Sequence, residues 1–357
     1  MSNKPEITIA LDAMGGDNGI EPNVKGAVAA ANSNPVQIIL VGDKDKLSKS
    51  LDKETYPDGS IEIVHASQKI GMDEPPRKAI DEKPDASILV ASKLVLDGIA
   101  NALVSAGSTG TVVLSAAKYL PRISEVRRTA IATVYPTLNE FKKHDHLALM
   151  LDVGANVRCG AEEMVQFAVM GTAYVASIRG IKNPTVALLN IGEEETKGGE
   201  KMQNAFQLLK NTNHLNFIGN VEGKDILRGV VDVVVTEGFV GNIVIKTLEG
   251  AAKSVGQLSK MAFKAKIAWK LGLLFLRKGL ALLKEVTDYA EYGGAPLLGF
   301  EKMVIIAHGR SSEKAISNAI KVAGKCVRDD VCGHIRDYIH ELERQSEIEY
   351  ERLRREL

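Results

Sequence analysis

The residues with the greatest capacity for chemistry lie in PTVALLNIGEEETKGG, residues 184–199, where an apolar run gives way to three carboxylates and a lysine. Val186, Ala187, Leu188 and Leu189 form a continuous apolar segment, as expected of a strand buried on both faces of a parallel sheet. Gly192 permits a sharp turn, and Glu193, Glu194, Glu195, Thr196 and Lys197 follow it. Open α/β sheets bind ligands at the carboxyl ends of their strands, so the pattern predicts a site in which Lys197 supplies positive charge. The competing reading is a solvated helix start, because glutamates suit a helix N-terminus. A cation set beside three acids at a strand end favours the site.

A second constellation is SAGSTG, residues 105–110, between the apolar run 102–104 and a helical pattern over 112–119. Ser105, Gly107, Ser108, Thr109 and Gly110 combine hydroxyls with the free N–H groups and positive dipole end of a helix, which is what holding a phosphate requires. No Walker loop is present, since Gly-Lys-Ser/Thr does not follow. Serine and threonine also serve as ordinary N-caps. Further polar turns close other apolar runs: Asp12, Gly15 and Gly16 in DAMGGD, Asn156 in LDVGAN, Asn220 in NFIGNVEG, Asn242 in TEGFVGN and His308 in HGRSS. Asp12 and Asp17 also suit simple turn capping, and a histidine at a strand end is commonly a satisfied hydrogen-bonding residue. Cys159 has no histidine at a spacing that suggests pairing, and it reads as a bystander.

The elements that must carry these turns repeat as strand, polar turn and helix over more than 230 residues. That alternation predicts an α/β sheet with most ligand groups gathered at one edge. The G-x-G-x-x-G of a dinucleotide site is missing. The chain has 357 residues, enough for a large core, and its 45 basic and 45 acidic residues cancel. That balance predicts no nucleic-acid partner. Three cysteines without paired spacing, and no apolar leader or run of about 20 apolar residues, predict a cytoplasmic protein that does not span a membrane.

One segment breaks the alternation. Between residues 253 and 284 lie eight basic residues and no acid, leaving the rest of the chain at minus eight. Val255, Leu258, Ala262, Ala265 and Trp269 recur at helical spacing, and Leu273, Leu274 and Phe275 add a short apolar run. A basic amphipathic helix with the chain's only tryptophan suits an anionic membrane surface, with Trp269, Leu273, Leu274 and Phe275 as the inserted residues. The alternative is a dimer-forming helical hairpin with solvated lysines. The expected organisation is a single α/β/α catalytic domain over 1–330, including the basic amphipathic segment 253–287. A charged C-terminal helix follows over 331–357, solvated or partner-contacting.

Taken together, DAMGGD, SAGSTG, LDVGAN, LLNIGEEETKG, NFIGNVEG, TEGFVGN and EYGGAPLLG resemble, in order over residues 7–325, the bacterial phosphate acyltransferases of phospholipid synthesis. These are acyl-[acyl-carrier-protein]–phosphate transacylases. The resemblance implies transfer of a fatty acyl group from acyl carrier protein to orthophosphate. It implies a homodimer with a three-layer α/β/α sandwich like the phosphotransacetylases and isocitrate-dehydrogenase-like proteins, with the basic segment as a projecting helical hairpin. It further implies no metal or organic cofactor, cytoplasmic location with peripheral attachment to the membrane's inner face, and Lys197 and Asn242 as catalytic residues. Arg310 stands where the family usually has a small residue, and Cys159 at a position it does not fix.

The chemistry agrees with the residues. Orthophosphate is already an anionic nucleophile, so no G-x-S-x-G elbow or H-E-x-x-H site is needed, and neither is found. What remains is position and charge: the 105–110 loop for phosphate, Asn242 and Lys197 for the thioester oxygen, and the three glutamates to hold Lys197. Asp12, Gly15, Gly16, Asn156, Asn220 and His308 are the further substrate-binding candidates. A metal-dependent decarboxylating dehydrogenase of similar fold would need a nucleotide loop that is absent. A scaffold that only gathers carrier protein would leave Lys197 and Asn242 without a task.

Overall fold

The computed structural model describes residues 7–139, 146–264 and 293–356. Short apolar runs form the strands β1 (Thr8–Asp12), β2 (Gln37–Gly42), β3 (Ile61–His65), β4 (Ala102–Ser105), β5 (Ala130–Pro136) and β6 (Leu147–Leu151). β7 (Thr185–Leu189), β8 (Asn216–Val221), β9 (Val233–Val235), β10 (Ala295–Leu298) and β11 (Met303–Ile306) complete them. They make one 11-stranded sheet in the order β3-β2-β1-β4-β11-β10-β5-β6-β9-β7-β8. Every residue of β2 is buried, as the apolar run over residues 38–41 leads one to expect of a strand covered on both sides.

Side chains alternate across the sheet, so each strand feeds two cores. Ile9 and Leu11 enter one, with α1 (Ile20–Ser33), α2 (Lys44–Leu51), α6 (Ala161–Arg179), α7 (Gly199–Asn211), α9 (Glu313–Arg328) and α10 (Val331–Glu356). Ala10 enters the other, beneath α3 (Pro76–Glu82), α4 (Ser87–Leu96), α5 (Thr109–Tyr119) and α8 (Gly238–Lys264). The result is the three-layer α/β/α sandwich expected.

Direction in the sheet departs from expectation. β1, β2, β3, β4 and β11 are mutually parallel. β10 is antiparallel to both β11 and β5, and β5 is antiparallel to β6. β6, β9, β7 and β8 are again parallel to one another, and so run opposite to the first group. The polar turns therefore lie at two opposite edges of the sheet, not at one. The strands responsible are β5 and β10. The former was not read from the sequence, and residues 291–296 were read as a turn.

Two helices also differ. α10 is not solvated along its first turns: Val331, Ile335 and Ile339 are fully buried and join the α6 side of the core. α8 is a single helix of 27 residues that begins at Gly238 and runs into the basic segment as far as Lys264. Trp269, Leu273, Leu274 and Phe275 lie outside the described residues, as do residues 265–287 of the expected basic segment. Among the described residues no helix is long and apolar enough to cross a membrane.

Candidate active site

At the first edge, the turns after β1, β4 and β11 pack together around a buried carboxylate. Asp12, 2% exposed, accepts from Ser87 Oγ at 2.5 Å, Ser105 Oγ at 2.7 Å and Gly15 N at 3.1 Å. Burial raises the Asp12 pKa, and the hydroxyls of Ser87 and Ser105, followed by the Met14 and Gly15 amides, oppose the rise. Gly15 has to be glycine, since a Cβ there would sit 2.6 Å from Asp12 Oδ2 and 2.9 Å from Gly107 N. Gly16 has φ 96° and faces Gly309 O, which also accepts from Asp17 N at 2.7 Å. The hydroxyls of the 105–110 loop work mainly within it. Ser105 Oγ accepts from Gly107 N at 3.0 Å while donating to Asp12. Ser108 caps α5, accepting from Thr111 N at 3.4 Å and sharing a 2.7 Å hydrogen bond with Thr111 Oγ1. Thr109 and Gly110 are exposed.

The opposite edge is built around a second buried carboxylate, which the sequence reading did not single out. Asp152 Oδ1 accepts from Ile131 N, Gly154 N and Ala155 N, each at 3.0 Å. Its Oδ2 accepts from Asn156 N at 2.7 Å and Asn156 Nδ2 at 3.0 Å. Asn156 Nδ2 also donates to Thr129 O at 2.7 Å, so this side chain ties the turn to the segment entering β5. α8 starts against the same turn: a Cβ on Gly241 or Gly238 would collide with Asp152. Asn242, in the second turn of α8 and thus not its N-cap, donates from Nδ2 to Val153 O at 3.0 Å. The signal available for Asp152 was its recurrence: an aspartate closes both β1 and the strand before VGAN.

Lys197 stands in the turn after β7, its side chain 45% exposed and Nζ 4.0 Å from Glu194 Oε1. α7 begins only at Gly199, so the three glutamates form a loop and not a helix start. They are also shared among different lysines: Glu193 pairs with Lys224 at 3.5 Å and Glu195 with Lys210 at 2.8 Å, leaving Glu194 for Lys197. Gly198 (φ 85°) makes the turn, and a Cβ there would strike Asn190 and Met202. Asn220 Nδ2 holds the loop from β8 through Glu194 O at 2.9 Å. Lys201 on α7 pairs with Glu237, just ahead of α8, so the Lys197 turn and the Asn242 helix are linked side by side.

The two edges meet through α8, which at a rise of about 1.5 Å per residue is about 40 Å long. From its start beside Asp152 it carries Ile245, Lys246 and Glu249 to the end of β11. There a cavity of about 170 Å³ is lined by Thr109, Thr133, Asn242, Lys246, Glu249, His308 and Ser311, among apolar residues that include Ile131, Val153 and Ile306. Thr109, Asn242 and His308 were expected at the site. Lys246, Thr133, Glu249 and Ser311 were not singled out from the sequence. Lys197, Asn220 and Asn156 do not line this cavity, nor do Ser105 and Ser108. His308 Nδ1 accepts from Arg310 N at 3.2 Å, which places the ring proton on Nε2. Burial pushes the His308 pKa down, against the pull of Glu249 and with that of Lys253, Lys246 and Arg310. Cys159 is buried, and its thiol is pushed up to about 12 by that burial and by Glu237, which removes it as a nucleophile near neutrality. Two larger grooves, about 550 Å³ between α6 and α7 and about 800 Å³ between α6, α10 and residues 212–216, hold none of the expected site residues. Among the described residues no cluster of three or more His, Cys, Asp or Glu is arranged to hold a metal.

The mixed sheet reversed at its centre, with helices on both faces, has the fold of the phosphotransacetylases. The crystal structure of a phosphotransacetylase from Streptococcus pyogenes superposes with a TM-score of 0.61, over 90% of this chain and 94% of that one, at 19% identity. At that identity the likeness is one of fold. Relationship comes from sequence. A phosphate acyltransferase of Dictyoglomus turgidum is 47% identical over 326 residues, 91% of this chain and 95% of that protein. One of Desulfitobacterium hafniense is 48% identical over 339 residues, 95% and 98% of the two chains. Residues 7–334 match the family described as fatty acid synthesis protein, and the chain belongs to it.

Proposed function

We propose that this protein transfers a fatty acyl group from the thioester of acyl carrier protein to orthophosphate. A phosphate oxygen attacks the thioester carbonyl, the C–S bond breaks, and the proton lost by phosphate passes to the departing thiolate. The products are acyl phosphate and free carrier. The observation that carries this reading is the convergence of Thr109, Asn242, Lys246 and His308, from opposite edges of the sheet, on one small cavity in a chain of this family.

An amide nitrogen carries two N–H bonds. Asn242 uses one on Val153 O, and the other serves the oxyanion that forms on the carbonyl. Lys197, from the neighbouring turn, adds a flexible cation to the same developing charge. The 105–110 loop and the α5 N-terminus orient phosphate. Asp12, Gly15, Gly16, Asn156 and Asn220 support substrate binding by holding the loops in shape. The neutral His308, with its proton on Nε2, donates toward substrate.

The basic segment is read as the contact with an anionic membrane surface, in a homodimer. Val255 and Leu258, of its expected apolar face, are each 63% exposed on α8, and Met261 is 69% exposed. Trp269→Glu with Leu273→Glu is expected to weaken co-sedimentation with anionic vesicles and leave turnover on soluble carrier thioester unchanged. Equal co-sedimentation would end the membrane role, and a monomeric double mutant would assign the segment to the dimer. The reaction itself is tested with purified acyl carrier thioester: free carrier and acyl phosphate must appear only when inorganic phosphate is added.

A further inference from the structure

The hydroxyls expected to hold phosphate are engaged elsewhere. Ser105 donates to Asp12, and Ser108 is bonded to Thr111 as the cap of α5. Ser311 differs. It is 5% exposed, it lines the 170 Å³ cavity, and its Oγ has no hydrogen-bond partner. An unpaired buried hydroxyl is costly, so its retention beside a mostly apolar cavity that also takes in Lys246, Asn242 and His308 points to a ligand. Its backbone is fixed by contrast, with Ser311 N donating to His308 O at 2.8 Å and Ser311 O accepting from Asn18 Nδ2 at 3.2 Å.

Three further features suit an anion. Ser311 immediately precedes the N-cap of α9: Ser312 accepts from Ala315 N at 3.4 Å, and Ala315 lines the same cavity. This 16-residue helix therefore has its positive end beside the cavity. Lys246 enters from α8 as a cation. The volume lies below the roughly 300–1,000 Å³ of sites for larger ligands, which suits a small oxyanion and the reacting end of an acyl group. Glu249 shares the lining, so Lys246 has to offset that carboxylate as well as the incoming charge.

We propose that Ser311, with Lys246, is the phosphate-positioning pair, and that orthophosphate sits in this cavity with Ser311 Oγ donating to one of its oxygens. The proposal rests on the acyl-transfer reading but adds to it a seat and a donor outside the 105–110 loop.

Ser311→Ala in the full-length protein tests it, with inorganic phosphate as the probe. Loss of one donor to a charged group is expected to raise KM for phosphate about tenfold or more, while KM for the carrier thioester and the melting temperature without phosphate stay unchanged. The stabilisation against heat that saturating phosphate confers on the wild type should shrink in parallel. Should Ser311→Ala fold poorly, Lys246→Met, altered at an exposed position, reads out the same way. An unchanged KM for phosphate overturns the assignment, and so does a fall in kcat alone, which would place the hydroxyl on the acyl carbonyl. If the wild type releases no carrier when phosphate is added, it is the acyl-transfer reading that fails. The phosphate-dependent melting shift then decides the seat by itself, and its absence in the wild type rejects it.

Discussion

Replacing Asp152 by asparagine changes one atom and should nevertheless disable the site. The carboxylate is fully buried and accepts five N–H bonds, three on Oδ1 and two on Oδ2. An asparagine in its best orientation keeps the three on Oδ1 and turns an NH₂ group toward Asn156 N and Asn156 Nδ2. Two donors of the half-buried Asn156 then face a donor, with only the bond from Asn156 Nδ2 to Thr129 O kept. At about 1–3 kcal/mol for each buried group left unsatisfied, the loss is about 2–6 kcal/mol. That is a large part of the roughly 5–15 kcal/mol that holds a typical domain folded. With a urea slope of about 3 kcal/mol per molar, the unfolding midpoint falls by about 1–2 M. Turnover should fall as well, because the displaced turn includes Val153, whose carbonyl orients Asn242. A urea midpoint and turnover both equal to wild type would refute the argument that this carboxylate organises the second edge.

Lys197→Met should cut turnover on the order of a hundredfold or more, the usual cost of losing one electrostatic donor. The melting temperature should hold, since the half-exposed pair with Glu194 contributes little; near-normal kcat would remove Lys197 from the mechanism. Asn242→Ala should lower kcat on the order of a hundredfold with little change in KM for either substrate, whereas a change confined to stability would leave it a purely structural contact. Cys159, whose thiol is pushed up to about 12 chiefly by burial, should resist iodoacetamide at pH 7.5 in the folded protein and react freely in urea; rapid labelling of the native protein would contradict the burial.

The strands with unbroken apolar runs were legible from sequence, because a segment covered on both faces needs no polar residue along its length. β7 is of this kind over residues 186–189, and the turn that ends it was expected to be polar. β5 and β10 were not legible. AIATVYP mixes small, polar and proline residues, and APLL follows two glycines and contains a proline. Each is stabilised by pairing with strands far away in the chain, and the alternation of side chains along a strand is the same whether its neighbour runs parallel or antiparallel. The reversal of the sheet, and with it the division of the site between two edges, therefore left no mark in the local pattern.

The site divides along the same line. The sequence by itself determined the family, the layered α/β class and the identity of the turns that carry polar groups, since these depend on residue type and order. Only the tertiary structure decided which of those groups share a cavity. Ser105 and Ser108 look as suitable for phosphate as Ser311 does until their hydroxyls are seen bonded to Asp12 and Thr111. Lys197 appears in sequence to own three glutamates, and two of them are drawn off by Lys224 and Lys210 from other elements. A hydrogen bond or an ion pair is settled by distance in space, and residues as far apart in the chain as Thr109, Lys246 and Ser311 come within reach of one another only when α8 crosses the reversed sheet.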